Sequence, residues 1–296
     1  MKIVIAGGSG FLGRALQQYF AASSNHIILL NRAPRSANEI KWDGKNQGDW
    51  STAVDGADVL INLAGKPVDC RYTEANKNAI LSSRTESTKA LQEAVNSARQ
   101  QPRLWINASS ATVYIHAETR QMNEYTGTIG DDFSMNVCKA WEAEFFKENQ
   151  ADTRKVAIRT SIVLGNKGGA YPKLKGLTKA FLGGCQGDGR QMMSWIHISD
   201  FCRAIDHIIQ DQEIDGPVNV TAPEPVSNKE FMRLMREKHR RSFGLSQNRL
   251  VLELGAILLQ TEAELLLKSR NVFPEKLLLQ GFRFNYPGIA QALQAL

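Results

Sequence analysis

A chain of 296 residues, 43% hydrophobic and 22% charged, is long enough for one large domain carrying a smaller one and too apolar overall to stay disordered. No stretch reaches the apolar length of a membrane span, four dispersed cysteines without a C-x-x-C pair exclude a disulfide framework or zinc site, and no metal is expected. The net charge of +6 is scattered among acidic residues, and the one dense basic run, 236–241, reads as a solvated helix end, so no nucleic-acid partner is expected.

The first six residues are an apolar run, Met-Lys-Ile-Val-Ile-Ala, which predicts a buried strand and leaves no room for a signal peptide; a cytoplasmic protein is expected. It turns at once into Gly7-Gly8-Ser9-Gly10-Phe11-Leu12-Gly13, followed by a helical pattern through Phe20 and a second apolar strand at 27–30. Strand, glycine turn and helix in that order read as a dinucleotide diphosphate site. Gly8 is expected to permit the tight turn, Gly10 to let phosphate oxygens reach the backbone, and Gly13 to bring the helix close to its strand. The second strand ends Leu30-Asn31-Arg32, with no carboxylate before Glu39. An acidic side chain there would suit the free ribose hydroxyls of NAD; Arg32, with Arg35 as a second cation, instead suits the 2′-phosphate of NADP. Asn31 could hydrogen-bond either cofactor.

A polar turn at 32–36 leads to a short extended piece at 40–42, and 58–62 forms a third buried strand. Its end, Leu63-Ala64-Gly65, is small enough for backbone to approach the cofactor. A helix is predicted over 76–99, then a strand over 104–108 running into Ser109 and Ser110, with Ser109 on the cofactor side. A helix over 136–149 and a strand over 156–159 follow. Strands alternating with helices predict a parallel sheet covered on both faces. From Leu164 glycines punctuate the chain, the mark of loops around a ligand; Asp200 is expected to cap a helix reaching Ile209, and Ser227 with Glu230 forms a capping box. A strand is predicted at 218–220. The apolar, glutamate-interrupted segment 250–267 fits a packed helix pair or a helix facing a partner, which leaves a homodimer open. Residues 276–287 read as a short helix, a glycine stop and an extended tail. The chain divides into a cofactor-binding unit, 1–163 with contributions from about 192–222, and a mainly substrate-side unit, 164–296.

Several runs together resemble one family: the opening glycine turn, Asn62-Leu-Ala-Gly65, Ser82-Ser-Arg84 with Ser87-Thr88, Ser109-Ser-Ala-Thr-Val-Tyr114, Cys138-Lys-Ala-Trp-Glu142, Ser194-Trp-Ile-His197 with Asp200, and Phe273-Pro-Glu-Lys-Leu277 with Gly281-Phe-Arg-Phe284. They resemble the extended short-chain dehydrogenase/reductases, in the nucleoside-diphosphate-sugar epimerase-like branch with its own C-terminal extension. The resemblance covers almost the whole chain and implies an α/β fold, a Rossmann-type doubly wound parallel sheet with a smaller C-terminal substrate-side domain. It also implies a catalytic set of Ser or Thr, Tyr and Lys, in which a tyrosinate moves a proton while nicotinamide carries hydride. The serine falls on Ser110. Counting back from Glu142 puts Ser134 at the tyrosine and Cys138 at the lysine, so both of those groups are missing.

Lys139 is one step along the helix and points about 100° away, so it is no substitute. Tyr114 and Tyr125 are the nearest phenols in sequence, with Tyr114 read as packing or lining the pocket, and Cys138 reads either as a thiolate base or nucleophile or as an ordinary buried thiol. On the substrate side, Arg190 suits a phosphate or carboxylate, Arg84 either reaches into the cleft or makes a helix-surface salt bridge, Trp195 either stacks on a ring or fills the joint between domains, and His197 is the titratable candidate, set against a structural hydrogen bond. The reading is an NADP-binding, epimerase-like oxidoreductase with an atypical active site, acting on a small carbonyl, hydroxyl or sugar-nucleotide substrate that can carry phosphate. The alternative is a non-catalytic NADP(H)-binding sensor or scaffold.

Overall fold

The computed structural model describes residues 1–148, 152–248, 250–253, 262 and 264–296. Its core is a seven-stranded, all-parallel sheet in the order β11-β6-β5-β4-β1-β2-β3. The strands are β1 (Lys2–Ala6), β2 (His26–Asn31), β3 (Glu39–Lys41), β4 (Val59–Asn62), β5 (Leu104–Ser110), β6 (Arg154–Thr160) and β11 (Gly216–Val220).

Side chains alternate between the faces of a strand, and both faces here are covered, so the central strands β1 and β4 are apolar nearly throughout. Ile3 and Ile5 of β1 pack into a cluster with Leu16 and Phe20 of α1 (Phe11–Ala21) and Phe201 and Ile205 of α5 (Ile198–Gln210). Val4 and Ala6 face the other way, toward Leu91 and Val95 of α2 (Glu74–Ser97) and Phe145 of α3 (Phe133–Phe146). The chain leaves β1 toward β2 on one side and returns as β4 on the other. That reversal opens a crevice at the carboxyl ends of the strands, where the glycine turn lies.

Beyond β6, the strands β7 (Ile162–Gly165), β8 (Gly168–Gly169) and β10 (Trp195–His197) form a small second sheet, with helix α4 (Tyr171–Lys179) and the short strand β9 (Met192–Met193) between β8 and β10. It packs with α6 (Asn228–Lys238) around Trp195, Tyr171, Phe231 and Leu293.

Helix α3 starts three residues earlier than its periodicity indicates, because Asp132 caps it by accepting from the Met135 N–H at 3.0 Å. Helix α5 is capped by His197, not Asp200: the buried Asp200 carboxylate accepts from the backbone N–H groups of Asn285 and Tyr286 at 3.0 and 2.8 Å and so anchors the C-terminal segment. The expected capping of α6 is present in half, Ser227 accepting from the Glu230 N–H at 3.3 Å while Glu230 turns to Arg233. The expected extended tail ends instead in a helix, Ile289–Ala295. Of the apolar segment 250–267, residues 254–261 and 263 lie outside the described residues.

Candidate functional site

The opening turn is built by close approach. Gly7 takes φ +76°, and a Cβ there would sit 2.9 Å from the backbone of Leu63 and Ala64, so the left-handed turn falls to Gly7 and not to Gly8. A Cβ on Gly13 would lie 2.6 Å from the Gly8 Cα, which lets α1 rest on the turn. Gly10 differs: its nearest obstacle is the Gly7 carbonyl oxygen at 3.4 Å. It is also the N-cap of α1, with no side-chain cap and no acidic residue in the first turn, so the helix presents unpaired N–H groups to an anion. Ser9 is exposed beside them, while the Phe11 and Leu12 side chains pack toward the core.

At the tip of β2, Asn31 is already engaged, donating to Glu39 at 2.9 Å and accepting from the Ala33 N–H at 3.0 Å. Glu39 pairs with Leu29 at the start of β3, and its carboxylate, which its distance along the chain concealed, reaches the tip through that bond from Asn31. Hydrogen bonds from Asn31 and then from the Arg35 N–H hold Glu39 below the usual carboxylate range. Arg32 is exposed, and its guanidinium makes no hydrogen bond or ion pair among the described residues. Arg35 lies exposed beside it.

The Leu63-Ala64-Gly65 turn rests on a buried polar network. Asn62 accepts from the Ala64 N–H at 3.0 Å and donates to Asn107 at 2.7 Å, and Trp141 donates to Thr88 within the same cluster at 3.0 Å. A Cβ on Gly65 would meet the Arg84 guanidinium carbon at 3.3 Å, so Arg84 lies against the turn. Arg84 donates to the carbonyls of Lys66 and Ile80, stacks on Trp141 at 5.1 Å, and has no acidic partner among the described residues. Its burial lowers its pKa.

At the end of β5, Ser109 donates to Glu142 at 2.6 Å, and Glu142 receives two bonds from Arg159 at 2.8 and 2.7 Å. Burial opposes the Arg159 charge, but Glu142 holds its pKa above the ordinary value. Arg159 also donates to the Tyr114 hydroxyl, which donates to Asn219 at 3.0 Å. Tyr114 is 1% exposed, so of its two expected roles it packs, locked in this network, and does not form a pocket wall. Ser110 is half-buried and accepts from the Thr112 N–H at 3.2 Å, leaving its hydroxyl hydrogen to donate.

Ser134 and Cys138 lie one turn apart on α3. Ser134 donates to Glu264 at 2.7 Å. Cys138 is 5% exposed, and burial, with Glu142 adding to it, pushes its thiol up to about 12, so it is not the thiolate base entertained above. The phenol beside this helix is Tyr72, from the loop after Gly65. Its ring meets Phe133 edge-on at 5.0 Å, and its N–H donates to Glu262 at 2.6 Å. Burial pushes Tyr72 up to about 12, with Ser134 pulling the other way. Tyr125, by contrast, is 61% exposed. No motif marks Tyr72; its only signal in the sequence is an aromatic residue soon after a ligand-side glycine turn.

Two expected substrate residues, Arg190 and Trp195, and the titratable candidate His197 are structural. The exposed Arg190 is paired with Asp188 at 2.9 Å inside its own turn. Trp195 is wholly buried and donates to the Glu224 carbonyl at 3.0 Å, which leaves no face for stacking on a ligand. His197 accepts from the Ser199 N–H at 3.1 Å as the α5 cap, its ring centre lies 4.2 Å from that of Tyr286, and burial lowers its pKa. The basic run is likewise engaged locally, Arg236 with the Gly183 carbonyl and Arg241 over the Phe181 ring. Among the described residues no His, Cys, Asp or Glu cluster could hold a metal, and no helix is long and apolar enough to cross a membrane.

Residues 3–221 match the model of the NAD dependent epimerase/dehydratase family, and 249–296 match that of a domain of unknown function. The chain is 33% identical to the epimerase family protein YfhF of Bacillus subtilis, covering 100% of this chain and 98% of that one. The human epimerase family protein SDR39U1, solved with NADPH, superposes with a TM-score of 0.91 at 29% identity over 100% of this chain and 98% of that one. A nucleoside-diphosphate sugar epimerase of Corynebacterium glutamicum gives 0.81 at 32% identity, over 99% of this chain and 57% of that one.

Proposed function

The chain belongs to the NAD dependent epimerase/dehydratase family, and on that premise we propose that it is an NADP(H)-dependent, epimerase-like oxidoreductase acting on a small hydroxyl- or carbonyl-bearing substrate, sugar nucleotides included. The observation that carries the cofactor choice is Arg32, an exposed guanidinium at the tip of β2 that is unpaired among the described residues. Glu39 stands nearby, but its carboxylate is turned to Asn31 and the Arg35 N–H. NADPH in the human relative supports the same choice.

In this reading the amides from Gly7 to Gly13 hold the diphosphate, Arg32 and Arg35 receive the 2′-phosphate, and the Leu63-Ala64-Gly65 backbone lines the adenosine side. Residues 1–163, with about 192–222, form the cofactor unit, and the rest of 164–296 encloses the substrate. Bound nicotinamide supplies hydride exchange. Ser110 donates a hydrogen bond to the reacting oxygen, and Ser109, through Glu142 and Arg159, fixes the strand end that presents it. Tyr72, protonated throughout the physiological range, serves as the acid that Ser134 cannot be.

Titration of the purified protein with NADPH and NADH tests the cofactor assignment: NADPH binds more tightly, and Arg32→Ala removes most of that preference. Equal affinity for the two cofactors in the wild type overturns it. The sensor reading has its own support in the loss of Tyr and Lys at positions 134 and 138. NADPH oxidation over a panel of carbonyl compounds decides between the two, because a sensor shows no turnover above a Ser110→Ala control.

A further inference from the structure

We infer that a groove walled by one side of α1, the β7–β8 turn and the start of α5 is a second small-molecule site, which takes an organic carboxylate with an apolar body and has His197 as its inner hydrogen-bond donor. This goes beyond the oxidoreductase reading and does not depend on it. The groove has a volume of about 600 Å³, the size of a small-molecule site. Only Phe11 of its lining belongs to the opening turn, and Arg32, Tyr72, Ser110 and Ser134 all lie elsewhere.

Phe11, Arg14, Ala15 and Gln18 are spaced three and four apart and so share one side of α1. The facing wall is held close to it. A Cβ on Gly165 would lie 2.7 Å from the Phe11 ring and 3.3 Å from the Ile198 Cβ, and Asn166 donates to the Leu296 main-chain oxygen at 2.6 Å, which ties the β7–β8 turn to the end of the last helix. Phe11, Ala15 and Ile198 give the groove its apolar surface. The α5 cap uses one ring nitrogen of His197: Nδ1 accepts from the Ser199 N–H at 3.1 Å, so the ring proton sits on Nε2. That Nε2–H is buried and has no partner among the described residues, in a side chain 6% exposed that lines the groove. An unmet buried donor is costly, and a ligand oxygen removes the cost. Arg14 and Lys167 are exposed on the same lining; Arg14 donates only to the Ser9 carbonyl, neither is in an ion pair among the described residues, and no Asp or Glu lines the groove. A carboxylate therefore answers the buried donor and the two free cations, while an apolar body fits the surface between them.

The test titrates the full chain by calorimetry with octanoate and, separately, with its neutral analogue octanamide, and follows His197 by long-range proton–nitrogen NMR of histidine-labelled protein. The free protein is expected to show His197 as the Nε2–H tautomer, and octanoate to shift that nitrogen and to bind roughly tenfold or more tighter than octanamide. Gln18→Trp, which fills the groove, and Lys167→Glu, which reverses a cation, should each weaken octanoate roughly fivefold or more; both replace exposed side chains, so the fold is kept. No binding of octanoate, equal binding of octanamide, or binding that leaves the His197 signal and both variants unaffected overturns the inference. Displacement of octanoate by NADPH also overturns it, because the anion would then sit in the crevice. Failure of NADPH to bind while octanoate still does would sink the cofactor reading and leave this one standing.

Discussion

The starts of α1 and α3 are both places where a helix meets the crevice, and they are built in opposite ways. At α1 no side chain caps the helix: the cap is a glycine, the first turn has no acid, and the nearby Arg32 is unpaired among the described residues. At α3 side chains fill it. Ser134 is held by Glu264, Tyr72 leans on Phe133, and Lys268 bridges Asp132 and Glu264. A site for an invariant ligand part such as a diphosphate can be made of bare backbone. One for a particular substrate has to be made of side chains, each needing its own support.

Four experiments bear on that contrast, from the largest expected effect to the smallest. Arg159→Met leaves Glu142 buried without its partner beneath the α3 site and should cost about 3–5 kcal/mol in denaturant unfolding; a loss under about 1 kcal/mol would mean that the support is dispensable. Tyr72→Phe should lower turnover by roughly 10²-fold or more with NADPH affinity unchanged, and unchanged turnover would remove Tyr72 as the acid. Gly13→Ala places a Cβ against the Gly8 backbone and should cost about 1–3 kcal/mol together with weaker NADPH binding.

The smallest effect is a pH dependence behind α3. Lys155 is buried with its ammonium on Gln92 and the Phe145 and Glu148 carbonyls, and burial, opposed by the Glu148 charge, lowers it from 10.5 to about 8. Between those values the unfolded chain binds more protons than the folded one, so this lysine opposes folding below about pH 8 and ceases to do so as pH rises toward 10.5. The stability of the wild type relative to Lys155→Met should therefore rise across that window in thermal melts, and a flat difference would refute the shift.

The same contrast explains what was legible in the sequence. The sheet and the opening turn follow from contiguous residues, since strand, glycines and helix lie within the first 21 positions and constrain one another locally. Even there the turn conformation fell to Gly7, because the deciding neighbours, Leu63 and Ala64, come from another strand. At α3 the groups arrive from positions 72, 84, 134–142 and 264–270, and no spacing rule links them. Tyr114, Trp195 and His197 looked functional because aromatic and titratable residues near a ligand-side motif usually do. Tyr114 and Trp195 are instead buried polar anchors, each satisfied by a partner that only the tertiary structure supplies, and His197 is a local helix cap.

The position of β11 bears on how the protein is made. This edge strand pairs with β6, yet it is reached only after the whole excursion through the second sheet and α5. While the chain emerges from a ribosome, β6 carries an open row of N–H and C=O groups until Gly216–Val220 arrives, a template for mispairing with neighbouring nascent chains. Truncation before residue 216 should therefore yield an aggregating fragment and not a smaller nucleotide-binding protein.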